Sequence, residues 1–85
     1  MQAEQIEARM RELKAALERD RENAIRRNPI HRKDFDNAIG AVETAISHYK
    51  SGRMDAFRMV WRKNVSLKAV ATNYDEFADV ASALE

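Results

Sequence analysis

Residues 3–17 read Ala3-Glu4-Gln5-Ile6-Glu7-Ala8-Arg9-Met10-Arg11-Glu12-Leu13-Lys14-Ala15-Ala16-Leu17. Ala3, Ile6, Met10, Leu13 and Leu17 recur at steps of three and four, so they share one side of a helix and leave the charges to the others. The spacing continues to Ala24 and breaks only at Asp20, where it asks for an apolar residue. Two i,i+4 pairs, Glu7 with Arg11 and Glu22 with Arg26, place the acid first, the better orientation on a helix. The pattern predicts a helix over residues 3–27. Asn28-Pro29 ends it, because proline disfavours helical geometry in the residue before it.

Outward from that segment the rhythm persists. Phe35, Ile39, Val42, Ile46 and Tyr49 predict a second helix. Its start has two readings: Asn28 caps it with Pro29 at the first helical position, or Asp34 caps it after a short linker. Its end falls at Lys50-Ser51-Gly52, where glycine supplies a left-handed residue and His48 and Lys50 suit the negative end of the dipole. A third helix opens near Arg53–Asp55 with Met54, Phe57, Val60 and Trp61. Its apolar phase slips at Asn64-Val65-Ser66 and resumes as Leu67, Val70, Tyr74, Phe77, Ala81 and Leu84. Ser66 is the expected cap of a further helix, and Asn73-x-x-Glu76 matches a capping box. No run alternates over a strand's length. The expected fold is all-α: one domain over residues 1–85, a small bundle of three or four helices with a long N-terminal helical hairpin. Leu84-Glu85 has the form of a cloning scar and carries no weight.

Composition narrows the function classes. The chain has 85 residues, 15 Lys and Arg against 14 Asp and Glu, and no cysteine, which excludes a disulfide framework, a zinc ribbon and a thiol nucleophile. A net charge of +1 gives no bulk attraction to DNA or acidic membranes. No apolar run reaches the roughly 18 residues of a membrane span, and the N-terminus lacks a signal-peptide core. The expectation is a soluble cytoplasmic protein.

The near-neutral total hides an uneven distribution. Residues 31–70 carry eight bases and four acids, whereas residues 71–85 carry four acids and no Lys or Arg. The densest basic stretch, Arg26-Arg27-Asn28-Pro29-Ile30-His31-Arg32-Lys33, falls at a helix junction, where charges tend to be exposed. A second group, Arg58, Arg62 and Lys63, lies on the third helix beside Met59 and Trp61. Such clusters are ordinarily solvated surface, or are neutralised here by the acidic tail. Read functionally, they form a surface for an acidic partner or for phosphates.

Catalytic constellations are missing. The two histidines, His31 and His48, have no ligand spacing between them, so no metal site is expected. Asp34 and Asp36 are two apart and diverge on a helix, so they make no acid–base pair. No serine has a glycine-rich elbow or an adjacent base, and the two glycines stand too far apart for a phosphate loop. Residues 66–75 are similar to the first helix of a helix–turn–helix. The helix that would follow carries Asp79 and no base, so phosphates would repel it. Tyr49-x-x-Gly52 before Ala56-Phe57 resembles one tetratricopeptide hairpin, but such units need about three copies to be stable.

Phe57, Met59, Val60 and Trp61 cannot all face one core, because Met59 points away from the other three. Trp, Met and Arg are also enriched at interfaces. A helix over residues 3–27 would be about 37 Å long, longer than the ~30 Å diameter of a globule of this size. Its seam, Ile6, Met10, Leu13 and Leu17, is therefore expected to need a second copy, a dimer being favoured. The expected function is non-catalytic protein–protein interaction as an adaptor, inhibitor or regulatory subunit, with no enzyme activity, cofactor or membrane partner. Trp61 or Met59 would serve as the apolar anchor, ordinary burial being the simpler reading of Trp61 taken alone, and Arg26, Arg27, Arg32, Lys33, Arg58, Arg62 and Lys63 would meet an acidic surface. The alternative is a nucleic-acid-binding regulator using the basic residues of 26–33 and the third helix.

Overall fold

The computed structural model describes residues 3–71 together with Tyr74 and Phe77. Four helices follow one another, α1 (Ala3–Arg27), α2 (His31–Lys50), α3 (Met54–Lys63) and α4 (Val65–Ala71), with no strand among the described residues. The protein is an all-α bundle opened by a long helical hairpin. α2 is the shared element: α1, α3 and α4 all pack against it. The bundle measures 37 × 21 × 17 Å, its long axis close to the length of α1.

Each junction has a local cause. After α1, the Asn28 carboxamide oxygen accepts the Ile30 N–H at 3.2 Å, and the backbone N–H of His31 and of Arg32 donates to the carbonyls of Asn28 and Pro29. α2 begins between the two starts foreseen: His31 is its first residue and Ile30 stands at the N-cap without a side-chain cap bond. Asp34 lies inside the first turn and caps nothing. α2 ends in a Schellman motif: Gly52 sits at φ 75°, its N–H reaching the carbonyl of Tyr49, and the Arg53 N–H reaches that of His48. The phase slip is a real break, but Asn64 governs it rather than Ser66. Asn64 is extended, and its side-chain oxygen accepts the Leu67 N–H at 2.7 Å, so it closes α3 and caps α4. The Asn73-x-x-Glu76 box and Leu84-Glu85 lie outside the described residues.

The core bears on the length argument for a second copy. Met10, Leu13 and Leu17 are at most 2% exposed, buried against Val42 and Ile46 of α2 and their neighbours. Ile6 is half-buried on the same cluster. Two features cover the seam. α2 begins a turn earlier than an Asp34 start would have it, and Phe77 folds back onto the core with the Arg9 guanidinium 4.5 Å above its ring. Met10, Leu13 and Leu17 are thus covered within one chain, which removes the geometric reason for a second copy along this seam. Asp20, the gap in the α1 spacing, also has its explanation: its carboxylate accepts the Tyr74 hydroxyl at 2.9 Å. Among the described residues no helix is long and apolar enough to cross a membrane.

Candidate interaction surface

Charges along the body of the hairpin are paired across it. Lys14 reaches Glu43 at 3.0 Å and Arg21 reaches Asp36 at 2.6 Å, with a longer Lys50–Glu7 pair at 3.9 Å. The Arg21 hydrogen bond holds the Asp36 carboxyl below its ordinary value, and the Glu43 hydrogen bond raises Lys14. All these groups are exposed or nearly so, which keeps each pair weak. They fix register between α1 and α2 more than they stabilise it.

The hairpin tip is organised differently. Arg26 and Arg27 close α1, and His31, Arg32 and Lys33 open α2; all five are exposed. Arg26 has a distant partner in Glu22 at 3.9 Å. Arg27, Arg32 and Lys33 form no ion pair among the described residues, although Arg32 lies near enough to Asp36 to help lower it. Cations at the end of α1 oppose its negative pole, but those in the first turn of α2 stand where the helix dipole is already positive, which costs stability. Between the two groups, Ile30 is 71% exposed. An exposed apolar residue within this basic stretch was not singled out from the sequence. The only signal was a branched apolar residue directly after Pro29, outside any periodic run.

On α3 the predicted residues divide. Trp61 is 6% exposed and shares the core with Phe57, so it is no surface anchor: those two positions form the face that α3 lays on α2. Met59 is 53% exposed, as the opposed phase required. With Val60 and Lys63 it walls a groove of about 510 Å³ whose other side is Gly40, Ala41 and Thr44 of α2. Arg58 and Arg62 are exposed but do not line that groove.

At the tip, a hollow of about 330 Å³ lies between α1, α2 and α4, with Arg27, His31 and Asp34 around Phe35 and Val70. A second of about 320 Å³ adjoins it and shares Arg27 and Phe35, adding Asp20 and Asn23. None of these three hollows draws on both basic groups. Among the described residues no three His, Cys, Asp or Glu side chains are grouped to hold a metal ion. No family model matches this sequence, and neither the curated proteins nor the solved structures provide a significant match.

Proposed function

We propose that the protein is a non-catalytic interaction module, a small adaptor, inhibitor or regulatory subunit, that binds an acidic protein surface through the α1–α2 tip. The observation that carries this reading is Ile30, an exposed apolar side chain set among Arg26, Arg27, His31, Arg32 and Lys33. Interfaces combine an apolar centre with a polar rim in this way. Cations held at the positive end of α2 give up folding stability and gain attraction for an anion. One chain covers its own α1 seam, so the reading rests on a different protein as partner. Met59 and its groove offer a second contact.

Nucleic acid draws on the same cations and is the competing reading. Affinity capture from a lysate with nuclease present, using wild type and Ile30→Ser, separates the two. The expected result is one protein retained stoichiometrically by wild type and lost with Ile30→Ser, changing little between low and moderate salt. Retention of nucleic acid alone, with affinity falling steeply as salt rises, overturns the reading.

A further inference from the structure

Gly40 is a residue that the fold itself does not require. It lies inside α2 without the positive φ of Gly52, at a place where glycine weakens a helix relative to alanine. A β-carbon built there meets nothing within 4 Å. The open space belongs to the α2–α3 groove of about 510 Å³, walled by Ala41 and Thr44 on one side and by Ala56, Met59 and Lys63 on the other. Gly40 also falls in a row. Ile30, Lys33, Asn37, Gly40, Thr44 and His48 follow one another at steps of three and four, so they line one face of α2 and of the turn before it. Ile30 joins this row because its backbone is already right-handed helical, at φ −60° and ψ −25°. Five of the six residues are exposed and His48 is half-buried. The tip and the groove are thus two parts of one strip, about 27 Å long at 1.5 Å per residue.

Charge along the strip has one sign. Lys33 lies on it, and His48 and Lys63 are the ionisable side chains lining the groove, which includes no carboxylate. Neither lysine forms an ion pair among the described residues. His48 accepts the Arg53 Nε–H on Nδ1 at 3.1 Å, so its neutral ring offers Nε2–H as a donor. Of the α2 carboxylates, Asp36 and Glu43 are paired with Arg21 and Lys14 of α1, and Asp34 borders the tip hollow instead. On α3, Asp55 is outnumbered by Arg58, Arg62 and Lys63.

We infer that this strip seats one amphipathic helix of an acidic partner protein, its backbone close over Gly40, its apolar side chains against Ile30 and Met59, and its carboxylates facing Lys33 and Lys63. The inference rests on the interaction reading and extends its contact from the tip along α2. Charge complementarity sets the sign of the partner. A helix suits the strip because helical backbones offer no free edge to an extended strand, whereas an apolar groove takes the face of an amphipathic helix. The missing side chain at position 40 lets a second backbone come near. A second copy joined strip to strip would bring surfaces of like charge together. A phosphate chain would leave the apolar groove unfilled.

The test is selection on the full chain of a phage-displayed library of 20-residue peptides, patterned as amphipathic helices with their polar positions randomised. Affinity of an enriched peptide is then measured for Gly40→Gln, Gly40→Glu and Ile30→Ser. Glutamine and glutamate form helix better than glycine, so the position 40 variants keep the fold, which circular dichroism reads. The expected result is enrichment of acidic peptides that Gly40→Gln weakens about tenfold or more through bulk. Gly40→Glu should weaken them further, by a margin that added salt narrows, and Ile30→Ser should weaken them as well. Enrichment without an excess of acid, or no enrichment at all, overturns the inference. Binding lost on Ile30→Ser and indifferent to Gly40→Gln would confine recognition to the tip, which overturns the strip and leaves the interaction reading standing. The reverse pattern would confine it to the groove and overturns both the strip and the role of Ile30. A dimer in solution that Gly40→Glu dissociates would assign the strip to a second copy, overturning the acidic partner. Salt-dependent binding of a random-sequence DNA duplex with no peptide enriched overturns the inference and the interaction reading together.

Discussion

Gly40→Ala and Gly52→Ala add the same methyl group, one inside α2 and one in the turn just past its end, and the structure requires opposite signs. Gly40 lies in the middle of α2 on its exposed side, and a β-carbon built there meets nothing within 4 Å. The Thr44 hydroxyl donates to the Gly40 carbonyl at 2.9 Å, a backbone contact that a side chain at position 40 leaves alone. Alanine therefore gains its full helix preference over glycine, about 0.8–1 kcal/mol. Gly52 holds φ 75° in the Schellman turn. An L-residue there costs about 1–2 kcal/mol, and the narrower unfolded chain returns about 0.4–1 kcal/mol. The net loss is about 1 kcal/mol.

The two variants thus differ by about 2 kcal/mol. In a domain of 60–100 residues each kcal/mol moves Tm by about 4–8 °C, so their melting points should stand about 8–16 °C apart with wild type between. Thermal melting followed by far-ultraviolet circular dichroism reads this directly. A Gly40→Ala midpoint at or below wild type would mean that the open face of α2 is occupied. A Gly52→Ala midpoint at or above wild type would mean that the α2–α3 turn is not left-handed. Either outcome refutes the corresponding step.

Leu13→Ala should cost about 2–5 kcal/mol in urea denaturation, since Leu13 is 1% exposed in the chain's own core; unchanged stability with an altered solution mass would restore the oligomer seam. Tyr74→Phe should cost about 1 kcal/mol, and a double-mutant cycle with Asp20→Ala should return a coupling of the same order, zero coupling being the contrary result. Arg21→Gln tests the pH dependence of the hairpin. Because Asp36 is lowered in the folded state, its contribution is present above the ordinary Asp value, about 3.9, and is lost as pH falls through the folded one. The variant should be less stable than wild type at neutral pH and equal to it in strong acid, a gap that added salt narrows; a constant gap across pH would be inconsistent with the ion pair.

The bounds of α1 and the end of α2 were legible because each combines a long periodic run with a backbone-specific stop, Pro29 in one case and Gly52 in the other. The start of α4 was not. Asn64 and Ser66 can both cap, and what decides is that the chain must turn directly after Lys63. At the candidate surface the exposure of Lys and Arg was readable because these residues are rarely buried. Trp61 was not, since periodicity places residues on a common face without saying whether that face meets the core or a partner. The oligomer seam misled for a related reason: α1 was measured against α2 alone, and the return of Phe77 over its N-terminal half has no local signature. Asp20 read as an interruption until its partner, 54 residues away, came into view.

That distance has a kinetic consequence. α1 and α2 meet across a turn of only Asn28, Pro29 and Ile30, so their contacts close a short loop and form early. The bond between Asp20 and Tyr74 joins positions 54 apart and must wait until α2, α3 and α4 have condensed. Removing the Tyr74 hydroxyl should therefore leave the refolding rate nearly unchanged and accelerate unfolding. Truncating Leu17 or Val42 should slow refolding itself. The carboxylate that breaks the apolar spacing of α1 acts as a late fastening, setting how long the folded state lasts more than how fast it is reached.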